Sequence, residues 1–243
     1  MKTSSQPFRV IGRRTPKVDA VEKVTGRAQF GADVPLPRLL VGKVLRSPYT
    51  HARIRHIDTG KAAALTGVHA VITGHDLPTV TPGASGRHGS VTLQESYLSQ
   101  EVLARDRVLF HGHAVAAVAA TSGDIAEEAL NLIRVDYEPL PYVLDPAEAM
   151  RPDAPRLHDD LYTQSATGKG STPSNIAEHL EMGRGDADQG FREADVIVER
   201  TFRTQTVHQG YIEPDAETAW VREDGSVTVW ANTQTTFTQR HEL

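Results

Sequence analysis

Two pairs of side chains in this sequence have types and spacings that could support chemistry. His208 and Glu213 lie five residues apart and could act as an acid–base pair or as two ligands of one metal ion. His111 and His113 are separated by one residue, so on a strand both imidazoles would project from one face and could hold a metal. No third ligand accompanies His111 and His113. Isolated acid–base pairs such as His208 and Glu213 are common in sequences. We therefore expect surface or interface positions for His111 and His113.

The stretch that carries the first pair contains three strand-like runs. Residues 195–204 alternate apolar and polar side chains, as a half-buried strand does. Residues 217–222 and 227–230 form the other two runs, and the tripeptide Glu-Asp-Gly at 223–225 separates them. Asp-Gly between apolar runs is a strong hairpin signal. Residues 238–243 then have a helix-like composition.

Upstream of these runs, hydrophobic periodicity predicts several strands and one clear helix. The strands are expected at residues 39–47, 51–58, 68–73, 114–119 and 134–137. The 114–119 run is apolar throughout, which is typical of a strand covered on both faces. The helix is expected at residues 122–133, with Asp124 as its cap. His51 and His56 would fall on opposite sides of their strand and make a poor joint site.

Composition excludes several classes of protein. The chain has 243 residues, enough for one large or two small domains, and a formal net charge of -5 that argues against nucleic-acid or membrane-surface partners held by charge. It has no cysteine, so it supplies no disulfide, thiolate nucleophile or iron–sulfur ligand. No apolar run approaches the ~20 residues of a membrane helix. These features predict a soluble, cytoplasmic protein.

The amino-acid sequence around His208 resembles that of a known family. Residues 208–214 (HQGYIEP), the hairpin and residues 229–234 (VWANTQ) are similar to the molybdopterin-binding large subunit of the molybdenum hydroxylases. That family includes xanthine dehydrogenases, aldehyde oxidoreductases, carbon monoxide dehydrogenases and 4-hydroxybenzoyl-CoA reductases. Residues 51–54 (HARI) and 137–141 (YEPLP) are similar to the first domain of that subunit. The resemblance covers nearly the whole chain.

The resemblance implies an α+β fold in four parts. These are an N-terminal segment (1–21), an α/β hammerhead domain (22–143), an extended linker (144–193) and the incomplete beginning of a molybdopterin-binding domain (194–243). The chain resembles only the first third of such a subunit. We therefore expect the remainder of the large subunit to be a further partner, which could be a separate chain.

The resemblance also implies an oxidoreductase reaction. The expected reaction is hydroxylation, or reductive dehydroxylation, of an aromatic heterocycle, aldehyde or aryl-CoA substrate at a molybdenum centre. The implied cofactor is molybdenum–molybdopterin in its cytosine dinucleotide form, held largely by residues outside this chain. Iron–sulfur and FAD subunits are the implied electron partners. This chain alone is expected to be inactive.

Gln234 is the residue to which the resemblance gives a catalytic and cofactor-binding role, with Thr233 beside it. In the family, the glutamine amide donates a hydrogen bond to an oxygen ligand of the metal, and a fixed neutral donor stabilises charge that develops there. The competing interpretation is an amide that satisfies backbone groups at a strand end. Because the family holds its metal through the pterin, His208 and Glu213 are expected to orient the loop by accepting backbone hydrogen bonds.

A second hypothesis belongs to a different functional class. The chain could be a truncated, catalytically inactive product that acts only as a binding or interaction domain. Exposed apolar surface around Trp220, Trp230 and Phe237 would then need a partner. A neighbouring reading frame that begins where this chain stops would favour the enzyme over the binding domain.

Overall fold

A computed structural model describes residues 10–81, 85–86, 89–90, 93–165, 168–213 and 215–242. The chain forms two compact units. The terminal unit combines Met1–Pro37 with Thr206–Leu243, and the central unit is Arg38–Gln205. Helices and mainly antiparallel sheets occur together, which confirms the α+β class.

The regular elements are short. The strands are β1 (Val41–Arg46), β2 (Ala52–Asp58), β3 (Val68–Thr73), β4 (Ser85–Gly86), β5 (Gly89–Ser90), β6 (Arg107–Val108), β7 (Ala114–Ala120), β8 (Arg134–Pro139), β9 (Tyr162–Ser165), β10 (Gly168–Pro173), β11 (Glu178–His179), β12 (Glu217–Val221) and β13 (Val227–Ala231). The helices are α1 (Ala20–Val24), α2 (Gly60–Ala63), α3 (Leu93–Val102), α4 (Gly123–Leu132), α5 (Pro146–Ala149), α6 (Ala187–Glu193) and α7 (Thr236–Glu242). All five strands expected upstream are therefore present, within a few residues of the expected ends.

Two three-stranded antiparallel sheets form the body of the central unit. Their strand orders are β1–β7–β3 and β6–β2–β8. The middle strand β7 is the apolar run, and its Val115, Ala116, Val118 and Ala120 are buried. This burial confirms that the strand is covered on both faces, as a continuous apolar run indicates.

Helix α4 packs against the first sheet through small side chains. Its Ala126 and Ala129 are fully buried and share one core cluster with Ala116 and Ala120 of β7. The cap of this helix differs from the prediction. The Ser122 hydroxyl, not the Asp124 carboxylate, accepts the N–H of Ile125 at 3.3 Å. A serine immediately before the helix reaches that amide, whereas Asp124 already lies within the first turn.

The predicted linker contains more structure than its Pro-, Asp- and Gly-rich composition indicates. Strand β9 pairs with β10 in antiparallel fashion and with β11 in parallel fashion. Asn175 stabilises the preceding loop, because its Oδ1 accepts the N–H of Leu157 at 3.2 Å. Its Nδ2 donates to the carbonyls of Ala149 and Pro155, each at 3.0 Å. One side chain thus satisfies three backbone groups that are distant in sequence.

Residues 195–204 do not form a strand, so that prediction is wrong for the chain by itself. Their backbone groups form no hydrogen bond with any other residue that the structure describes. Alternation of apolar side chains indicates which face a strand would bury, but a strand also requires a partner backbone.

In the terminal unit, β12 and β13 form the expected hairpin. Thr218 lies opposite Trp230 in an antiparallel register. Gly225 adopts a positive φ of 79°, and its N–H donates to the Arg222 carbonyl at 3.0 Å. Glycine adopts this left-handed conformation without a steric penalty, which explains its place in the turn.

The segment before the central unit packs on this hairpin. The buried Thr218 hydroxyl donates to the carbonyl of Gly31 at 2.7 Å. A methyl group at Gly31 would overlap the Ala216 carbonyl oxygen and lie 3.0 Å from that of Trp230. Only glycine therefore allows the two backbones to approach this closely.

Candidate functional site

An acidic side chain connects the loop before the hairpin with the segment after it. The Asp215 Oδ1 accepts a hydrogen bond from the Asn232 Nδ2 at 2.7 Å. Its Oδ2 accepts one from the Tyr211 hydroxyl at 3.3 Å. A carboxylate can accept with both oxygens at once. Asp215 therefore fixes the place at which the chain leaves β13 and enters residues 232–235.

Gln234 and Thr233 lie on that connection between β13 and α7, and both are exposed. The Thr233 hydroxyl accepts the N–H of Thr235 at 3.1 Å, which stabilises a local turn. The Gln234 amide forms no hydrogen bond with any residue in the described part of the chain. It does not satisfy a backbone group there, so it presents a neutral donor and acceptor at the surface. Its role toward a cofactor stays a prediction.

His208 has the structural role that was expected. Its Nδ1 accepts the N–H of Gly210 at 3.0 Å, and its ring centroid lies 5.1 Å from that of Tyr211. Glu213 is exposed, and its carboxylate accepts no backbone hydrogen bond within the described ranges. Among these residues, His208 and Glu213 are also not paired with each other. The two side chains therefore do not form an acid–base pair in this structure.

The charge of Glu213 acts on helix α1. Lys23 and Asp19 form an exposed ion pair at 2.6 Å. Their hydrogen bond is the main reason that the pKa of Asp19 is lowered and the pKa of Lys23 is raised. The negative charge of Glu213 is a smaller contribution that also raises the pKa of Lys23.

The predicted surface position is correct for His111 and wrong for His113. His111 lies in an exposed turn, whereas His113 is completely buried and stacks on Phe110 with ring centroids 4.5 Å apart. The His113 Nδ1 accepts the N–H of Leu109 at 3.2 Å. Burial lowers the pKa of His113, against an opposing effect of the Glu101 backbone carbonyl. The two imidazoles precede β7 and do not share a strand face.

His51 and His56 lie in different environments. His51 is buried, and its Nδ1 lies 2.6 Å from the carbonyl oxygen of Pro141, to which it donates in the matching tautomer. His56 is exposed. The buried ring thus joins the start of β2 to the segment that follows β8, which is a structural function.

A cleft of about 430 Å³ lies in the central unit. Its lining includes Arg105, Arg107, His158 and Asp159. The Arg107 guanidinium donates to Asp159 at 2.9 Å and lowers the pKa of that carboxyl group. Arg105 donates to a backbone carbonyl at 2.8 Å. Both guanidinium groups thus bond to protein groups, and the Asp159 carboxylate offsets the charge of Arg107.

The described ranges contain neither a metal-binding cluster of side chains nor a membrane-spanning helix. No group of three or more His, Asp or Glu side chains in that part of the chain is arranged to hold a metal ion. No helix there combines the length and apolar character that a membrane crossing requires.

Sequence reasoning missed two residues that position the candidate site. Asp215 connects Tyr211 to Asn232, and Gly31 allows the N-terminal segment to pack on the hairpin. Asp215 carries one signal in the sequence, since an aspartate between a loop and a strand often accepts local hydrogen bonds. No signal in the sequence marks Gly31, because the residues that require a glycine there lie almost two hundred positions later.

Two family descriptions match the chain in succession. The family described as "Aldehyde oxidase and xanthine dehydrogenase, a/b hammerhead domain" matches residues 25–141. The family described as "Molybdopterin cofactor-binding domain" matches residues 169–243, a range that includes Gln234. The two matches follow the same order as the parts expected from the sequence.

Curated relatives and solved structures agree with these families. The chain is 35% identical to the nicotinate dehydrogenase large molybdopterin subunit of Eubacterium barkeri, over 97% of this chain and 50% of the relative. It is 35% identical to the carbon monoxide dehydrogenase large chain of Afipia carboxidovorans, over 92% of this chain and 27% of the relative. The crystal structure of quinoline 2-oxidoreductase from Pseudomonas putida 86 is similar, with a TM-score of 0.72 and 28% identity over 90% of this chain and 26% of that one. The chain thus spans half of one relative and about a quarter of the others.

Proposed function

The chain belongs to the molybdenum hydroxylase family, and on this premise we propose that it forms the first part of a molybdopterin-binding large subunit that works together with further polypeptide. The observation that carries the proposal is the exposed amide of Gln234, on a turn fixed by Asp215 within the matched cofactor-binding region. An amide without a partner among the described residues is suited to a ligand that lies outside this chain. The proposed boundaries are 22–143 for the hammerhead domain, 144–193 for the linker and 194–243 for the cofactor-binding part.

The residues present fit the molybdenum–molybdopterin cofactor as neutral hydrogen-bonding groups. Gln234 supplies an amide without charge, and Thr233 supplies a hydroxyl beside it. A preorganised neutral donor stabilises negative charge without competing as a metal ligand. When bound, the cofactor supplies two-electron redox chemistry. Gln234 would orient and stabilise groups at that centre, while Asp215 holds the turn that carries it.

The reaction that we propose is hydroxylation, or its reductive counterpart, of an aromatic heterocycle, aldehyde or aryl-CoA substrate. The absence of cysteine from the chain means that any iron–sulfur cluster has its ligands elsewhere. We therefore propose that a separate iron–sulfur subunit serves as an electron partner, together with an FAD subunit. We also propose that the cofactor has its cytosine dinucleotide form and that the protein is cytoplasmic. The remaining part of the large subunit would supply the other pterin contacts.

The test is co-expression of this chain with the coding sequence that directly follows it, here termed the companion polypeptide. The purified complex is assayed for dye reduction with heterocycles and aldehydes, and its molybdenum signals are recorded by electron paramagnetic resonance. We expect turnover with at least one substrate class. A complex that forms but holds no molybdenum and reduces no dye would instead support the inactive binding domain.

Gln234→Ala in this complex tests the proposed role of the amide. Removing one preorganised donor typically lowers kcat by about 10²–10³. We expect such a loss together with a changed molybdenum signal and unchanged molybdenum content. Gln239→Ala is the matched control, because that amide already donates to Glu217 at 3.1 Å. Equal activities of the two variants would contradict the role of Gln234.

A further inference from the structure

The segment at residues 195–204 has the sequence of a strand without a partner strand. Its even-numbered positions include Val196, Val198 and Phe202, and its odd-numbered positions are mostly polar. In an extended chain these two sets face opposite sides. One face of the segment is therefore suited to an apolar core and the other to water.

The apolar face of this segment is open in the structure. Val196, Val198 and Phe202 are 78%, 74% and 87% exposed. Ordinary soluble domains rarely leave such a row of apolar side chains in water without a binding function.

The backbone of the same segment is also available. Within the described ranges, no N–H or carbonyl group of residues 195–204 forms a hydrogen bond. Of its side chains, Arg203 lies 3.9 Å from Asp145 on the polar face. An extended segment with free amides and an apolar face can add as a strand to the edge of a sheet.

The length of the relatives indicates which polypeptide supplies that edge. The chain spans 50% of one curated relative and 27% of another, and the matched cofactor-binding family includes residues 195–204. We propose that residues 195–204 add as a strand to a sheet edge of the companion polypeptide and bury Val196, Val198 and Phe202 against it. This inference rests on the proposed function, because it assumes that a companion is required.

Hydrogen exchange on the isolated chain and on the co-expressed complex tests the pairing. We expect amides 195–204 to exchange at least tenfold more slowly in the complex. Val198→Pro removes an N–H and should lower affinity for the companion at least tenfold, whereas Val198→Thr retains β-branching and should lower it less. Both variants should leave the circular dichroism of the isolated chain unchanged. Met182→Pro, at another exposed position outside regular structure, is the control and should bind normally.

The outcomes separate this inference from the proposed function. A complex that retains molybdenum while amides 195–204 exchange as fast as in the isolated chain overturns the pairing and leaves the proposed function intact. Normal binding by Val198→Pro does the same. Failure to form any complex with the companion overturns both.

Discussion

The side chain of Asn232 donates a hydrogen bond of 2.7 Å to Asp215, seventeen residues earlier in the chain. This bond joins the two ends of the hairpin, since one residue precedes β12 and the other follows β13. Asn232 also lies two positions before Gln234 in the sequence. The geometry of the candidate cofactor-binding turn therefore depends on a carboxylate that has no expected chemical role of its own.

Asp215→Ala should loosen this turn. Loss of the bonds to Asn232 and Tyr211 should reduce the local opening free energy by about 1 kcal/mol, which corresponds to about fivefold faster amide exchange at residues 233–235. Hydrogen exchange followed by mass spectrometry would measure it. Asp224→Ala is a suitable control, because its bond to the Ser226 N–H lies in the opposite turn of the hairpin. Equal exchange at residues 233–235 in both variants would mean that Asp215 does not hold the turn.

Gly31→Ala should destabilise the terminal unit by about 1–3 kcal/mol, because the new methyl group would overlap the Ala216 carbonyl oxygen. The chain has two tryptophans, Trp220 and Trp230, and both lie on the hairpin. Urea unfolding followed by tryptophan fluorescence therefore reports on this unit. We expect a lower midpoint for the variant.

Gly42→Ala is the matched control for this measurement. Gly42 lies in β1 of the central unit, where the nearest atom to an added methyl group is the Val118 carbonyl oxygen at 4.0 Å. Its fluorescence midpoint should equal that of the unchanged protein. A fluorescence midpoint for Gly31→Ala that also stays unchanged would mean that the N-terminal segment does not pack on the hairpin.

The buried His113 should make the central unit sensitive to acid. Burial lowers its pKa below the ordinary imidazole value of about 6.5, so below pH 6.5 the unfolded chain binds more protons than the folded one. Stability is therefore complete above pH 6.5 and falls as the pH decreases, at up to about 1.4 kcal/mol per pH unit. Urea unfolding followed by far-ultraviolet circular dichroism between pH 8 and 5.5 would measure the slope.

Substitution identifies the group responsible for this slope. His113→Gln should flatten the pH dependence, while His56→Gln, at an exposed site, should leave it unchanged. Both variants should keep the part of the pH dependence that comes from His158, because burial also lowers the pKa of that side chain. If His113→Gln keeps the full slope, His113 is not the origin of the acid sensitivity.

Asn175→Asp should open the linker. The aspartate retains an acceptor for the Leu157 N–H but loses the donors to Ala149 and Pro155, whose carbonyls would then face a carboxylate. Leaving such groups unsatisfied costs about 1–3 kcal/mol. Limited proteolysis should cut the variant faster between residues 145 and 160. Asn131→Asp, at an exposed position on α4, should be cut at the original rate.

The sequence predicts those elements whose signals are local. The Asp224–Gly225 hairpin, the apolar strand that became β7 and the amphipathic helix that became α4 all depend on neighbouring residues, and all are present. Signals of this kind reflect backbone conformations that particular residues favour or forbid.

The predictions that failed concern features that depend on residues distant in the sequence. Alternation in residues 195–204 predicts a buried face, but no pairing partner within the described chain completes a strand. The spacing of His111 and His113 predicts a shared face, yet the chain turns between them and buries one ring. Asn175 organises the linker through three groups that the sequence does not relate to it. Such requirements arise only when the chain is folded.

The molybdenum content of the co-expressed complex tests the central claim most directly. We predict about one molybdenum atom per copy of this chain when it is purified with the companion polypeptide, and almost none when it is purified alone. Mass spectrometry of the metal together with protein quantification gives the ratio. A stable complex without molybdenum, isolated from cells that make the cofactor, would contradict the claim.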